Sequence, residues 1–471
     1  MEQLKCKVLV VGAGPGGYVA AIRAGQLGLD TIIVEADRCG GTCLIRGCIP
    51  SKALIHAAGR FESINAHAGD GKLGISVDSP AKLDLAKTIA WKDGIVDRLS
   101  GGVEGLLKKN GVRRMSGWAT FKDAKRCTVE TADGPVTIVA EHVILANGSR
   151  PIELPSLPFS ENVVSSTGAL KLKEVPEHLI IIGAGYIGLE MGIAYGKLGA
   201  KVSFIEGLDK LLPLYDKEMT RPIGNWLKKH GIKVVYNAKA QSVEEKDGAV
   251  TLHYQDKDGS AQSIVGDKVL VTVGRKPNTE GWGLENMCID MEGPFIKINN
   301  QCQTAMKNVW AIGDLVGEPM LAHKASAQGE MVAEIIAGQT GEFDPVTIPA
   351  VCFTEPEIVS VGLSPDDAKA KGIETIVSKF PFAAIGKALA MEAGDDGGFV
   401  RITARKDSHL VLGIQAVGAH VAELSNQFAL ALEMGACLED LADTIHVHPT
   451  LGEATMEAAM ASLGRAIHIS S

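Results

Sequence analysis

One supersecondary unit occurs twice in this chain, and that duplication narrows the possible folds more than any other feature. Lys7–Glu35 (KVLVVGAGPGGYVAAIRAGQLGLDTIIVE) and His178–Glu206 (HLIIIGAGYIGLEMGIAYGKLGAKVSFIE) each read as apolar strand, glycine turn, helix and second strand. Gly12, Gly14, Gly17, Gly28 and Glu35 of the first fall at the same offsets as Gly183, Gly185, Gly188, Gly199 and Glu206 of the second. A lone G-x-G-x-x-G spacing is weak evidence, because glycine turns arise for many backbone reasons. Here each turn follows an apolar strand, opens a helix and is answered by an acidic residue at the end of the next strand, as a dinucleotide site requires. The glycines admit a pyrophosphate to the helix N-terminus, and the carboxylate takes a ribose 2′-hydroxyl. Two adenine dinucleotides and an α/β fold with two Rossmann-like domains are therefore expected. A carboxylate at Glu206, with no arginine in Gly207-Leu208-Asp209, repels a 2′-phosphate and favours NAD over NADP.

At about 150 residues per domain, 471 residues predict about three structural units. Turn-rich sequence around Pro151–Pro158 suggests a boundary near 150, and another is expected near 275. Beyond it lie a strand at Val309-Trp310-Ala311-Ile312, the pair Gly313-Asp314 and a helix from about His323 to Ala337. From about 346 the pattern changes to alternating strands followed by a helix over Leu424–Met434, an α+β arrangement. A net charge of −9 disfavours a nucleic-acid partner, which would need a basic face. No run approaches the ~20 apolar residues of a membrane span, and a strand begins by about Cys6, so a cytoplasmic location without a leader is expected.

The nine cysteines are an odd number at irregular spacings, unlike an extracellular disulfide framework. Only Cys43 and Cys48 lie close together, in Gly40-Gly41-Thr42-Cys43-Leu44-Ile45-Arg46-Gly47-Cys48-Ile49-Pro50-Ser51-Lys52. A structural zinc site needs four ligands and no second close pair exists. Inert buried thiols on a core helix fit poorly with the flanking glycines and Pro50. A redox disulfide is the remaining reading. Residues five apart on a regular helix are separated by about 7.5 Å along the axis, beyond the usual reach of a disulfide, so the backbone must be distorted. Gly47 and Pro50 are placed to permit this, and a helix start beside the pair would stabilise a thiolate.

With its GGTC…GCIPSK element, the chain resembles the pyridine-nucleotide-disulfide oxidoreductase family along its whole length. The resemblance implies that the first nucleotide unit binds FAD and the second NAD(P)H. It makes Cys48 the thiol beside the flavin and Cys43 the interchange thiol that meets substrate. Ala146-Asn147-Gly148-Ser149 is similar to the family's ATGS turn, and Ala311-Ile312-Gly313-Asp314 to its second FAD signature, where Asp314 should hold a ribitol hydroxyl. Met320, Leu321, Ala322 and His323 resemble the stretch lining the flavin, and Gly41, Thr42 and Gly117 join the implied FAD contacts. On the nicotinamide side the resemblance implies Tyr186, Ile187 and Gly274 besides the second turn. Lys52 and Glu190 look like the family's ion pair near flavin N5, although alone they read as a surface lysine and a helix-face glutamate.

His446-Val447-His448-Pro449-Thr450-Leu451-Gly452-Glu453 resembles the family's H-P-T-x-x-E base, with His448 held by Glu453. Two histidines on one strand could instead bind metal, but no third ligand is evident nearby, and no metal is expected. Another plain alternative is a helix start with Pro449 in its first turn and a solvated histidine. The resemblance divides the chain into an FAD-binding stretch (1–150), an NAD-binding stretch (151–275), a central region completing the FAD site (276–345) and a dimerisation domain (346–471). It further implies a homodimer whose active sites combine Cys43, Cys48 and Lys52 of one subunit with the His448–Glu453 pair of the other. Ser51-Lys52 after Pro50 follows the lipoyl pattern within the family, implying oxidation of a dihydrolipoyl dithiol with NAD⁺. The implied partners are lipoyl-bearing acyltransferase components of 2-oxoacid dehydrogenase complexes or a glycine-cleavage carrier. A glutathione-reductase-like activity is disfavoured by Glu206, and a mercuric-reductase-like one by the absence of a cysteine pair in Ala461–Ser471. A non-catalytic docking component would have lost a reacting residue, and none is lost. Three departures stand out: Ile45-Arg46 for the common Asn-Val, Asn147 for threonine and Gly452 for serine.

Overall fold

The computed structural model describes residues 2–69 and 71–469. The chain forms two compact units, residues 1–175 with 270–344 and residues 176–269 with 345–471.

In the first unit, β1 (Glu2–Val11), α1 (Pro15–Gln26) and β2 (Thr31–Glu35) form the expected βαβ motif. They are followed by α2 (Cys48–Asn65), α3 (Leu85–Lys109), β3 (Arg113–Ser116), β4 (Trp118–Asp123), β5 (Arg126–Thr131) and β6 (Gly134–Leu145). The sheet runs β3-β2-β1-β6-β5-β4, with strand Val309–Ala311 also lying along β6. Pairings among β3, β2, β1 and β6 are parallel, and β4-β5-β6 is an antiparallel meander. The unbroken apolar run Val8–Val11 at the end of β1 has a two-faced explanation. Val8 and Val10 pack with Ala20, Ala21, Leu107 and Val332 on one side. Leu9 and Val11 pack with Phe121, Cys127 and Trp282 on the other. Each such fully buried aliphatic side chain contributes about 1.5–3 kcal/mol, which is why a central parallel strand carries no polar alternation.

Residues 151–175 group with this unit, and at their start Ser149–Pro151 pairs antiparallel with Arg275–Pro277. The stretch 276–345 does not stand alone either, since its strand Val309–Ala311 completes the sheet beside β6 and its helix Ala322–Ile336 lies on α1. A Cβ on Gly329 would sit 2.3 Å from Gly16 O, so glycine sets the spacing of these two helices.

The second unit repeats the motif: strand His178–Ile182, helix Tyr186–Lys197 and strand Lys201–Ile205, with Lys233–Val235 parallel beside the last. Its C-terminal part is a five-stranded antiparallel sheet, ordered Ala350–Cys352, Glu357–Gly362, Val411–Gly418, Phe399–Arg405, Thr375–Pro381. Helices Ser425–Glu433 and Glu453–Ser462 bury Phe428, Leu432, Ala454 and Ala458 against that sheet. Among the described residues, no helix is long and apolar enough to cross a membrane.

Candidate active site

Cys43 and Cys48 are joined by a disulfide, their Cα atoms 4.6 Å apart. The distortion this requires is a π-helical turn over Thr42–Arg46, ended by Gly47 at φ −140° and ψ −106°. A Cβ on Gly47 would lie 2.9 Å from Thr42 O, so the turn closes tightly only with glycine there. Cys48 is then the first residue of α2, an 18-residue helix, with Pro50 in the first turn where its missing N–H leaves no intrahelical bond unmade. The helix N-terminus places partial positive charge at Cys48 and favours its thiolate when the pair is reduced. Lys52 lies four residues on, over the same face of α2 as Cys48.

The redox loop packs directly onto the first glycine turn. Gly41 has φ +58°, and a Cβ on it would meet Gly14 Cα at 2.4 Å. Gly12, at φ +97°, approaches Ala146 O so closely that a Cβ would sit 2.3 Å away, and one on Gly17 would meet Gly12 O at 1.8 Å. The turn leads into α1, whose N-terminus has no side-chain cap, leaving backbone N–H donors for an anion. Glu35 faces the turn: Oε2 accepts from Ala13 N at 2.7 Å and Oε1 from Asp37 N at 2.9 Å. Gly117 adjoins it, its N–H bonded to Glu35 O at 3.0 Å.

Around the same turn, Ser149 Oγ donates to Asp314, and Gly313 N donates to Gln328 Oε1 at 2.8 Å. Gly148, at φ +68°, completes the bend between Asn147 and Ser149. Leu321 is the N-cap of helix Ala322–Ile336; Met320 precedes it, and His323 is exposed in its first turn. Asn147 Oδ1 is buried with no partner among the described residues. An orphaned acceptor, an uncapped helix start and a glycine cradle together fit a dinucleotide, so the residues present suit FAD.

The second turn reproduces the first. Glu206 Oε2 accepts from Ala184 N at 2.5 Å and Oε1 from Leu208 N at 2.8 Å. Gly183 has φ +96°, helix Tyr186–Lys197 begins at Gly185 without a side-chain cap, and a Cβ on Gly185 would meet nothing within 4 Å. Tyr186 is exposed, Ile187 half-buried and Gly188 buried. Glu190 is buried on this helix, and its Oε1 accepts from Phe353 N at 3.0 Å. Gly274, at φ +121°, belongs to the other unit, where its carbonyl accepts from Ile152 N at 3.1 Å.

His448 and Glu453 meet as expected: His448 Nδ1 lies 2.8 Å from Glu453 Oε1, and Glu453 Oε2 accepts from Thr450 N at 2.8 Å. The carboxylate only accepts, so Nδ1 carries the hydrogen and Nε2 is left as a base. Burial works against ionisation of Glu453, yet the Thr450 N–H and the His448 ring hold its carboxyl below the usual carboxylate range. Glu453 is mostly buried, whereas the His448 side chain is 79% exposed on this chain, in a stretch where Ile445 and Val447 are exposed too.

Of the departures, Arg46 forms an ion pair with Asp37, so its charge is answered within the loop. Gly452 has room for a larger residue, with the nearest atom to a Cβ being Gln427 Oε1 at 3.6 Å. Two supporting residues escaped the sequence reading. Arg275 donates to Ser149 Oγ at 2.8 Å and Ser149 O at 2.7 Å, and Asn278 Nδ2 donates to Asn147 O at 2.9 Å. Their signal was the polar Arg275-Lys276-Pro277-Asn278 stretch, of which Arg275–Pro277 forms a short strand paired with Ser149–Pro151.

Residues 6–329 match the family model described as Pyridine nucleotide-disulphide oxidoreductase, and residues 348–459 match its dimerisation domain. A dihydrolipoyl dehydrogenase of Pseudomonas aeruginosa is 54% identical over 467 residues, covering 99% of each chain. One from Geobacillus stearothermophilus is 48% identical, covering 99% of this chain and 98% of its own. Among solved structures, LpdA from Mycobacterium tuberculosis superposes with a TM-score of 0.87 at 26% identity, over 98% of this chain and 99% of that one.

Proposed function

The chain belongs to the pyridine nucleotide-disulphide oxidoreductase family, and from that premise we propose that it oxidises dihydrolipoyl groups to lipoyl groups while reducing NAD⁺. The observation that carries this reading is the Cys43–Cys48 disulfide at the start of α2, lying against the first dinucleotide turn through Gly41 and Gly14. The protein is an FAD-dependent oxidoreductase and a homodimer, with NAD⁺ as its second substrate.

Bound FAD supplies a two-electron acceptor for the reduced cysteine pair and a hydride donor for NAD⁺. The residues around the first turn hold it: Gly12, Gly14 and Gly17 at the pyrophosphate, Glu35 at the adenosine ribose and Asp314 at the ribitol. In the first half-reaction, His448 Nε2 takes a proton from one substrate thiol. The resulting thiolate attacks Cys43 Sγ; a substrate–Cys43 bond forms, the Cys43–Cys48 bond breaks and Cys48 leaves as thiolate. The second substrate thiol then loses its proton as it attacks the substrate sulfur of that mixed disulfide, closing the lipoyl ring and releasing Cys43, which takes up a proton as a thiol. Glu453 fixes the imidazole's tautomer and stabilises its charged form. The family resemblance gives Lys52 and Glu190 roles beside the flavin, and Glu206 takes the adenosine ribose of NAD⁺.

The exposed His448 on the dimerisation segment serves the disulfide of the partner subunit, so each site is shared. Partners are lipoyl-bearing acyltransferase components of 2-oxoacid dehydrogenase complexes or a glycine-cleavage carrier, met in the cytoplasm. Assaying the purified protein with dihydrolipoamide and NAD⁺, and separately with oxidised glutathione and NADPH, tests the reading. Turnover is expected only in the first assay, and turnover only in the second would overturn it.

A further inference from the structure

The loop that follows Glu206 is pinned at both ends. At its start, Leu208 N donates to Glu206 Oε1 at 2.8 Å and Leu208 O accepts from Asn237 N at 3.0 Å. In its middle, Leu212 N donates to Ala184 O at 3.1 Å, and Ala184 N in turn donates to Glu206 Oε2. Leu212 holds φ +44°, a left-handed conformation unfavourable for leucine, so something beyond local preference keeps the loop in place. At its far end lies Asp216, the N-cap of helix Lys217–Lys229, whose Oδ1 accepts from Glu218 N at 2.9 Å and Met219 N at 3.1 Å.

The other oxygen of Asp216 is taken by a residue from the dimerisation segment. Arg401, on strand Phe399–Arg405, is buried with its side chain 5% exposed. It donates from Nη2 to Asp216 Oδ2 at 2.5 Å, from Nη1 to Glu218 Oε2 at 3.2 Å and from Nε to Gln415 Oε1 at 3.2 Å. Lys379 pairs with Glu218 from the adjacent strand, so two cations meet two carboxylates. A buried guanidinium is costly unless its hydrogen bonds are met, and these two carboxylates and one amide take three of its five N–H donors. Removing a carboxylate partner leaves the Arg401 charge buried with less to pair it, which favours the loop position that keeps Asp216 on Arg401.

We propose that Arg401 is a positioning residue for the NAD⁺ site: through Asp216 Oδ2 it holds the Gly207–Asp216 loop against the Gly183–Gly185 turn, and thereby keeps Glu206 and Ala184 set for the adenosine ribose. The proposal rests on NAD⁺ as the second substrate. It makes part of the NAD⁺ affinity a property of the dimerisation segment, which carries Arg401.

Asp216→Asn separates the two roles of Asp216, because asparagine still caps the helix through its amide oxygen but turns an NH₂ donor toward Arg401. Asp216→Asn and Arg401→Met are each expected to raise the KM for NAD⁺ at least about fivefold. The KM for dihydrolipoamide, the FAD content and the rate of anaerobic reduction by dihydrolipoamide alone should stay at wild-type values. Arg401→Lys should recover part of the loss, and the double variant Asp216→Asn/Arg401→Met should be no worse than the poorer single one, as for residues acting through one contact. An unchanged KM for NAD⁺ in Asp216→Asn would overturn the proposal. So would a parallel loss in both half-reactions with lost flavin, which is the mark of a merely structural pair. Wild-type protein that does not turn over NAD⁺ at all would instead strike the assignment of NAD⁺.

Discussion

Replacing Glu453 by glutamine changes one atom of the His448–Glu453 pair and reverses its hydrogen-bonding sense. The carboxylate now accepts from His448 Nδ1 at 2.8 Å and from Thr450 N at 2.8 Å. A glutamine has one acceptor oxygen. If that oxygen keeps the Thr450 bond, an NH₂ faces Nδ1 and demands the tautomer in which Nδ1 is bare and Nε2 carries the hydrogen. The nitrogen needed as base is then blocked. If the amide flips to satisfy Nδ1, the Thr450 N–H meets a donor, at a cost of about 1–3 kcal/mol for a desolvated donor left unmet. General-base assistance is worth about 10²–10⁴ in rate, or about 3–5 kcal/mol at 1.36 kcal/mol per tenfold. We therefore expect Glu453→Gln to lower kcat for dihydrolipoamide oxidation by about 10²-fold or more. Because the change is nearly isosteric and Glu453 is mostly buried, FAD content should be unaffected. The decisive measurement compares stopped-flow reduction by dihydrolipoamide with anaerobic reduction by NADH, which bypasses the base. The first should slow and the second should not. Full dihydrolipoamide turnover in Glu453→Gln, or equal slowing of both reductions, would refute the tautomer argument.

The purified protein should be yellow with one FAD per chain, and Gly17→Val, which drives a side chain onto Gly12 O, should yield colourless protein by absorbance. Glu206→Ala removes the ribose acceptor and two backbone bonds; its KM for NAD⁺ should rise by the equivalent of about 1–3 kcal/mol, and preference of the wild type for NADP⁺ would contradict the assignment. Mixed Cys48→Ser and His448→Gln chains should regain activity on subunit exchange, since one site per heterodimer is intact; exchange shown by mass without activity would exclude a shared site. Burial opposes ionisation of Asp216 and Glu218, but Arg401 holds the Asp216 carboxyl, and Lys379 with Arg401 the Glu218 carboxyl, below the usual range. The stability they add is therefore full above the unfolded value near 4 and lost as pH falls through the lower folded values. The Tm gap between wild type and Arg401→Met should be widest above about pH 5 and shrink progressively as pH falls below about 4, whereas a gap constant with pH would show that the ion pairs contribute nothing.

What could be read from the sequence is what backbone geometry demands of residue type. Gly12, Gly17 and Gly183 stand where a Cβ would collide or φ is positive, so the duplicated turns were legible at residue resolution. The Cys43–Cys48 spacing told of a distorted backbone, and the π-helical turn at Thr42–Arg46 is that distortion. The grouping of the chain was less visible, because it depends on pairings between distant segments. Ser149–Pro151 pairs with Arg275–Pro277, 126 positions on, and neither tripeptide carries a strand signal of its own. Ion pairs across long separations were equally hidden. Arg401 reads as a charged residue on a strand, and nothing local says that its side chain is buried against Asp216, 185 positions earlier. Arg46, a departure from the common Asn-Val, forms an ion pair with Asp37 that the sequence does not announce.

The two nucleotide turns have almost the same internal geometry, with Glu35 and Glu206 each bridging a turn N–H and the N–H two residues on. Their different tasks must come from what surrounds them. The first turn is overlaid: Gly41 lies on Gly14, and Gly16 is pressed between Ala325 and Ile312. Chain drawn from before and after the motif closes over it, which suits a cofactor that stays bound through every cycle. At the second turn, the space where a Gly185 side chain would stand is open, and Tyr186 beside it is 41% exposed. A dinucleotide there has less protein to displace on leaving. The Rossmann duplication supplies chemical recognition twice, and the difference between prosthetic group and exchanging substrate is set by how far the rest of the fold covers each copy.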